Sequence, residues 1–191
     1  MLAPSPPCCT RCRPESLRRP PRAVGPLAAI LRQLADLLRT ITGEQYRAKH
    51  AAVAASSIGG HVRHCLDHVQ ALLAGVEFGA VDYDRRERGT DIETDRDAAL
   101  AASEGLERRL LALDPYPESL PLRLSVTLAA DAAPFEVDTT LGRELAFVLS
   151  HTIHHNALVA VIAWAIGAAV PVHFGYAPST LAYLEKTPCV R

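Results

Sequence analysis

Apolar residues recur at the helical period over several stretches of the chain. Between Pro26 and Gly43 they follow the i, i+3, i+4, i+7 spacing of one helix face, which predicts a first helix of about 16 residues. Proline suits the first turn of a helix and glycine its end. A second helix is predicted from Ser56 or Ser57, each a suitable N-cap, to about Val76. The apolar positions on these two faces are Leu27, Ile30, Leu31, Leu34, Leu37, Leu38, Ile41, Ile58, Cys65, Val69, Leu72 and Leu73.

A long, charged connector follows the second helix. It covers residues 77–94, whereas two antiparallel helices need only about 2–8 connecting residues. The length predicts either a crossover that brings the next helix parallel to the second, or a loop with a function of its own. The third helix is predicted from Asp95 to Leu113, and the following Asp114-Pro115 ends it.

The hydrophobic period changes to two after the third helix. Apolar and polar residues alternate from Leu122 to Leu128, which is typical of a short strand. Phe135 and Val137 suit a second strand that returns beside the first. The sequence therefore predicts a small hairpin at this point.

The fourth long helix is predicted to start after Thr139 or Thr140 and to extend to about Ile166. A final short helix opens at Pro178 and runs through Leu184. These elements predict an all-α protein, a four-helix bundle with a minor β-hairpin between helices 3 and 4.

The N-terminal segment differs in composition from the rest. Residues 1–25 carry five arginines against a single acidic residue, and the first 26 positions hold seven of the 14 prolines. Such a proline density prevents regular structure, so this segment is predicted to be a disordered Pro/Arg-rich extension. It lacks the apolar core of a secretory signal. The folded domain is predicted over residues 26–188.

Composition and charge narrow the class of protein. Twenty basic and 21 acidic residues nearly cancel, so no global field attracts nucleic acid or an anionic membrane. The longest charge-free apolar run, residues 157–172, is shorter than the roughly 20 residues of a membrane-spanning helix. It is predicted to be core or a subunit interface. Five unevenly spaced cysteines do not form a disulfide framework, which favours a cytoplasmic protein.

Histidines form two clusters at helical spacing. Residues three, four or seven apart lie on one face of a helix. This spacing relates the histidines of helix 2, which are His61, His64 and His68. In helix 4 it relates His151 and His155, with His154 nearby. Isolated histidines at solvent-facing positions need no explanation. However, several neutral imidazoles buried without partners would be unfavourable, and a shared metal ion removes that cost. Facing histidine stripes in a bundle therefore predict a metal site with open positions.

Other catalytic templates are missing from the sequence. It contains neither the H-E-x-x-H motif of zinc proteases nor the E-x-x-H pair of di-iron bundles, and it has no phosphate-binding glycine loop and no G-x-S-x-G motif. Cys65 lies four residues after His61, which would suit a Cys–His pair. We interpret Cys65 instead as a small buried residue.

Two motifs resemble the DinB/YfiT-like superfamily. They are Ser57-Ile58-Gly59 with a histidine five residues on, and the sequence His151-Thr-Ile-His154-His155. The resemblance, over residues 27–186, implies an up-down-down-up bundle that holds a divalent metal ion (Zn, Ni or Fe) through His64, His151 and His155. His61 and His68 flank the motif and remain alternatives. The family often has Arg-Gly-Gln after the last histidine, where this chain has Asn156-Ala157-Leu158.

The resemblance also implies a type of chemistry. Characterised members include thiol S-transferases that use bacillithiol or mycothiol, a mycothiol-dependent maleylpyruvate isomerase, and part of the ergothioneine-forming sulfoxide synthases. We therefore expect metal-dependent activation of a low-molecular-weight thiol, the co-substrate, for transfer to a small-molecule substrate. A related transferase or hydrolase is also compatible. A non-enzymatic, stress-related metal-binding dimer is the alternative, and a metal-free interaction bundle is the third hypothesis.

Supporting residues are less well defined by the sequence. Asp67 could accept the N–H of a liganding imidazole. Tyr83 and the arginines of the connector, Arg85, Arg86 and Arg88, could bind an anionic substrate group. His154 could contribute to the substrate side of the site. No catalytic proton-transfer residue is identified. The family and the apolar end of helix 4 together predict a homodimer.

Overall fold

Helices dominate the part of the chain described by our computed structural model, which comprises residues 21–49, 56–85 and 90–186. These residues form six α-helices and a small sheet of three strands. The helices are α1 (Val24–Thr40), α2 (Gly43–Arg47), α3 (Ile58–Phe78), α4 (Arg96–Leu111), α5 (Leu141–Ala165) and α6 (Pro178–Lys186). The strands are β1 (Ala80–Asp82), β2 (Pro121–Val126) and β3 (Phe135–Thr140).

The four long helices predicted from the sequence are confirmed as α1, α3, α4 and α5. Side-chain caps determine where three of them begin. Ser57, rather than Ser56, caps α3 and accepts a hydrogen bond from the backbone N–H of Gly60 at 3.1 Å. Asp95 caps α4 and Thr140 caps α5 in the same way. The predicted short C-terminal helix is confirmed as α6.

The four long helices pack around one hydrophobic core. Helix α1 packs against α4 and α5, and α3 packs against the same two helices. The leucines that define the predicted face of α1 are fully buried in this core, among them Leu27, Leu31 and Leu34. The structure is thus mostly helical, as the all-α class requires. The up-down-down-up order of the bundle stays a prediction.

The predicted hairpin is confirmed, but it belongs to a larger sheet. Strands β2 and β3 are antiparallel, with Leu124 opposite Val137. Strand β1 lies parallel to β2, so part of the 77–94 connector is regular rather than irregular. This connector also contains a 3-10 turn, Asp91–Glu93. Three residues are too few to show a period of two, and the partner of β1 lies more than 40 residues away in sequence, so local patterning could not reveal this strand.

Helix α2 was also missed by the sequence prediction. Gly43 was expected only to end the first helix, but it is the first residue of α2. Thr42 and Gln45 form a reciprocal capping box, in which each side chain accepts a hydrogen bond from the other residue's backbone N–H. This helix buries Tyr46 completely.

The domain limits can be compared with the structure only in part. Residues 1–20, most of the predicted disordered extension, lie outside the described residues, as do residues 187–191. Helix α1 begins at Val24, two residues before the predicted start of the domain, and the side chain of Val24 belongs to the core.

Helix α5 is the most apolar element that the structure describes. Its length and composition alone would allow it to cross a membrane, with a mean hydropathy of 1.5 over its most apolar window. The core helix of a soluble protein passes the same test, and 44% of that window is buried inside the protein. One side of α5 packs on α3 and α1, and that side brings its histidines toward α3.

Candidate metal centre

Five histidines from α3 and α5 meet in a single cluster. The rings of His64, His151 and His155 form a nearly equilateral triangle, with centroid separations of 4.9, 4.6 and 4.6 Å. His61 and His68 extend the cluster at its two ends, with ring centroids 5.2 Å from His155 and 4.1 Å from His151, respectively. The helical spacing read from the sequence therefore brings together all three predicted ligands and both of their alternatives.

The central pair of imidazoles has the separation expected of two ligands on one ion. The Nε2 atoms of His64 and His151 are 2.9 Å apart. Two nitrogens that each lie about 2.1 Å from a metal ion are separated by roughly 3.0 Å at right angles and by roughly 3.4 Å at the tetrahedral angle. The donor set of this structure therefore fits a metal ion, and these two histidines are the first candidates to hold it.

A second imidazole pair lies beside the first. The Nδ1 atoms of His61 and His155 are 3.0 Å apart. The Nε2 atom of His61 is buried and has no hydrogen-bond partner among the described residues. Buried polar atoms are rarely left unpaired, so this nitrogen is a further sign that the cluster accommodates a polar group or an ion. Burial and the neighbouring His154 both lower the pKa of His61, which favours the neutral form that a metal requires.

His68 is the most deeply buried of the five histidines whose rings meet here, with 6% of its surface exposed. Its Nδ1 atom lies 2.9 Å from the backbone carbonyl oxygen of His64. The potential ligand atoms of His64, His68 and His151 all lie within 4.8 Å of one another. These ligand-atom distances group His68 with the central pair, whereas the ring centroids group His155 with it, so both remain candidates for the third ligand.

Tyr83 and the buried carboxylate of Glu144 lie beside one end of the histidine cluster. Tyr83 stacks on His68, with centroids 5.1 Å apart and planes inclined by 11°. The hydroxyl of Tyr83 donates a hydrogen bond to Glu144, a fully buried carboxylate, at 2.7 Å. Glu144 also accepts hydrogen bonds from Thr139 and Arg143 at 2.6 and 2.8 Å. Burial, followed by the negative charge of Glu144, raises the pKa of Tyr83, so this phenol stays protonated.

These contacts change the interpretation of Tyr83 and add Glu144 to the residues around the site. Tyr83 was expected to bind an anionic substrate group, but it is buried and contacts an imidazole and a carboxylate instead. The sequence reasoning placed Glu144 only in the first turn of a helix. No local signal links the two, because 61 residues separate them and only the packing of the connector against α5 brings them together.

The other candidates occupy different environments. His154 is exposed and makes an edge contact with the ring of His155, with centroids 5.3 Å apart. Asp67 forms an ion pair with Arg63 at 2.8 Å, and its role as an acceptor for a liganding imidazole stays a prediction. Arg86 and Arg88 lie outside the described residues.

Cys65 is 1% exposed, so its interpretation as a buried residue is confirmed. Burial, followed by the charge of Asp67, raises the pKa of its thiol to about 12.

The metal-free protein is expected to lose stability as the pH falls from 7 to 4. Burial, and then the neighbouring His151 and His61, lower the pKa of His155 from its usual 6.5 to about 4. Between these values the unfolded chain binds a proton that the folded chain does not, so stability falls as the pH falls. The measurement is the urea unfolding midpoint in the presence of a chelator at several pH values. The His155→Gln variant should show a smaller decrease than the wild type, and an equal decrease would contradict this assignment.

Together, the helical fold and the histidine cluster define a helix-rich protein with a candidate metal centre. The family model described as the DinB superfamily matches residues 27–159, which include all five histidines of the cluster, and the chain belongs to this superfamily.

A curated relative extends the comparison. The chain is 36% identical over 107 residues to FK506-binding protein 5 of Rhizopus delemar. The match covers 56% of this chain and 28% of the relative, so it spans little more than a quarter of that longer protein. No solved structure matches the chain.

Proposed function

We propose that this protein is a divalent-metal-dependent enzyme that activates a low-molecular-weight thiol for transfer to an electrophilic small molecule, a reaction of the detoxification type. The observation that carries the metal part of the proposal is the 2.9 Å separation between the Nε2 atoms of His64 and His151. Membership of the DinB superfamily supports the same centre. His155, which completes the ring triangle and matches the family motif, is the proposed third ligand. Zinc, nickel and iron all suit imidazole ligands.

The proposed chemistry depends on the charge state of a thiol. A divalent metal, when bound, lowers the pKa of a coordinating thiol and so supplies a thiolate at neutral pH. The chain provides neutral imidazoles, because burial lowers the pKa of both His61 and His155. Phe147 lies against His151, with ring centroids 5.6 Å apart, and together with Tyr83 it covers one side of the cluster. Water is therefore partly kept away from the imidazoles on this side.

A non-enzymatic metal-binding protein is the second candidate function. The observation that favours it is the surplus of imidazoles, since five rings meet where three would suffice for an open site. With a fourth histidine bound, the metal would have no free position and would serve a structural or sensory role.

The proposal also covers the cellular location, the partners and the oligomeric state of the protein. We place it in the cytoplasm, without nucleic-acid or membrane partners, as a homodimer. The outer face of α5 supports the dimer, because Val161 and Trp164 are 44% and 58% exposed there. Helix α5 has no charged side chain after Glu144, so this face would be suited to contact with a second copy.

Metal content followed by thiol turnover tests the proposed function. The full chain, reconstituted separately with zinc, nickel and iron, would be mixed with a panel of small thiols and an electrophile that changes absorbance on S-alkylation. We expect near-stoichiometric metal and a thiol-dependent rate that disappears in the His64→Ala variant. His173 is exposed and lies outside the cluster, so His173→Asn should retain both properties. Bound metal without turnover for any thiol would favour the non-enzymatic alternative.

A further inference from the structure

A groove between α3 and α4 lies apart from the histidine cluster. Its volume is about 1290 Å³, and none of the five clustered histidines lines it. Residues of α3, α4 and the connector that contains β1 form its surface. Pockets that bind small molecules usually have volumes of about 300–1,000 Å³, so the groove is large enough for such a ligand.

Small side chains explain why the two helices leave this space. The positions at which α3 and α4 line the groove include Ala71, Ala74, Ala102 and Gly105. The buried side chains of Leu66 and Leu106 form its base, and the exposed ring of Phe78 also lines it. An apolar chain or ring bound here would be removed from water by both helices, and this burial is favourable.

The charged side chains of α4 are divided between its two neighbours. Glu104 and Glu107 form ion pairs with arginines of α1, both at 2.7 Å. Arg108 and Arg109 line the groove instead, and neither forms an ion pair within the part of the chain that the structure describes. A terminal nitrogen of Arg108 lies 3.8 Å from the position that a Cβ atom on Gly105 would occupy, so its guanidinium lies over the groove.

The connector adds a third arginine, Arg85, which was predicted from the sequence to bind an anionic group and which lines this groove. Two acidic side chains, Asp67 and Asp82, also line it. Asp67 forms an ion pair with Arg63 at 2.8 Å, and Asp82 accepts hydrogen bonds from the backbone N–H groups of Asp84 and Arg85 at 2.9 and 3.1 Å. Three arginines therefore stand against two carboxylates, one of which is already paired, and the groove carries a net positive charge.

We propose that this groove binds a small amphipathic carboxylate, with its apolar part between α3 and α4 and its carboxylate on Arg108 and Arg109. Arginine suits this role because its guanidinium can bind both carboxylate oxygens at once. Arg109 now donates to the neutral amide oxygen of Gln70 at 2.9 Å, and a carboxylate is a stronger acceptor. The small net charge favours a singly charged head group over a doubly charged phosphate, because Asp67 and Asp82 would repel the second charge.

Titration calorimetry of the full chain with octanoate tests this proposal. We expect saturable one-to-one binding, weaker binding of the uncharged octan-1-ol, and no tighter binding of octyl phosphate. Arg108→Gln should weaken octanoate binding about fivefold. The matched control is Arg32→Gln, which removes the same charge from an exposed ion pair with Glu107, outside the groove, and should leave octanoate affinity unchanged.

Two further variants locate the binding site. Ala74 is partly exposed in the groove, so Ala74→Phe should fill the space and abolish octanoate binding. His64→Ala should bind octanoate as the wild type does, because His64 does not line the groove, so this test is independent of the proposed metal-dependent function.

Three results would overturn the inference. They are the absence of octanoate binding in the wild type, equal octanoate affinity in the wild type and folded Arg108→Gln, and tighter binding of octyl phosphate than of octanoate. Sedimentation velocity of Ala74→Phe addresses another occupant of the groove. We expect the same oligomeric state as in the wild type, and a dimer that dissociates in this variant would show that a second copy of the chain fills the groove instead.

Discussion

The His151→Ala variant is expected to lose stoichiometric metal binding. His151 occupies the centre of the cluster, where its Nε2 atom lies 2.9 Å from that of His64 and its ring contacts those of His68 and His155. Both candidate third ligands therefore depend on a site that includes His151. Since the loss of outer partners alone weakens metal sites about 10–100-fold, removal of this ligand should weaken affinity by more than about 100-fold.

Elemental analysis and titration calorimetry of the purified proteins measure this effect. The substitution is compatible with the helix, because alanine has the highest helix propensity and His151 lies within α5. Circular dichroism should accordingly show a folded protein. His173→Asn again serves as the control, since it removes an exposed imidazole at a position with φ of 64°, a conformation that asparagine tolerates. Undiminished metal content in a folded His151→Ala protein would exclude the cluster as the metal site.

The sequence predicted the features of the site that depend on a single helix. Histidines at positions 61, 64 and 68 share a face because of the helical period, and the same holds for positions 151 and 155. The meeting of these two stripes was also expected from the family motif. The periodicity of a single helix cannot determine whether His68 or His155 would be the third ligand. His68 and His155 each lie one turn from a central histidine, so the choice depends on the relative rotation of α3 and α5.

Features that depend on distant contacts were not predictable in the same way. The contact of Tyr83 with Glu144 and the pairing of β1 with β2 both join segments that are remote in sequence. Each involves too few residues to leave a periodic pattern. These contacts nevertheless determine the surroundings of His68, because Tyr83 directly follows β1 and Glu144 lies in the first turn of α5. Local patterning thus predicted the long helices and brought forward the candidate ligands, whereas tertiary packing determines the surroundings of those histidines.

The Gly59→Ala variant is expected to lower the free energy of unfolding more than the other substitutions proposed for this protein. A Cβ atom at this position would lie 2.1 Å from the backbone carbonyl oxygen of Glu93 and 2.9 Å from the ring of Tyr46. Neither group can move easily, because the first is backbone and the second is fully buried, with its hydroxyl bonded to the carbonyl of Ile92 at 2.5 Å. Overpacking of this kind costs about 1–3 kcal/mol and sometimes more, and the contact with backbone places Gly59 at the upper end, at about 3 kcal/mol.

The position of Gly59 links this packing to the candidate metal centre. Gly59 is the second residue of α3, directly after the capped N-terminus and two residues before His61. A shift of the first turn of α3 away from Glu93 would therefore also move His61 and His64 relative to α5. The close packing of Gly59 is therefore expected to position the histidines that follow it in α3. We expect Gly59→Ala to weaken metal affinity as well as folding.

Urea unfolding of the chelated protein measures the stability part of this prediction, with Gly105→Ala as the matched control. Gly105 lies inside helix α4, and the nearest atom to its added Cβ is the end of the flexible Arg108 side chain, 3.8 Å away. Alanine is favoured over glycine inside a helix, so this control should increase the free energy of unfolding by about 0.5–1 kcal/mol. The two substitutions should thus change stability in opposite directions. Equal effects would mean that Gly59 is retained only for backbone flexibility and that the close approach of α3 to Glu93 does not constrain the metal centre.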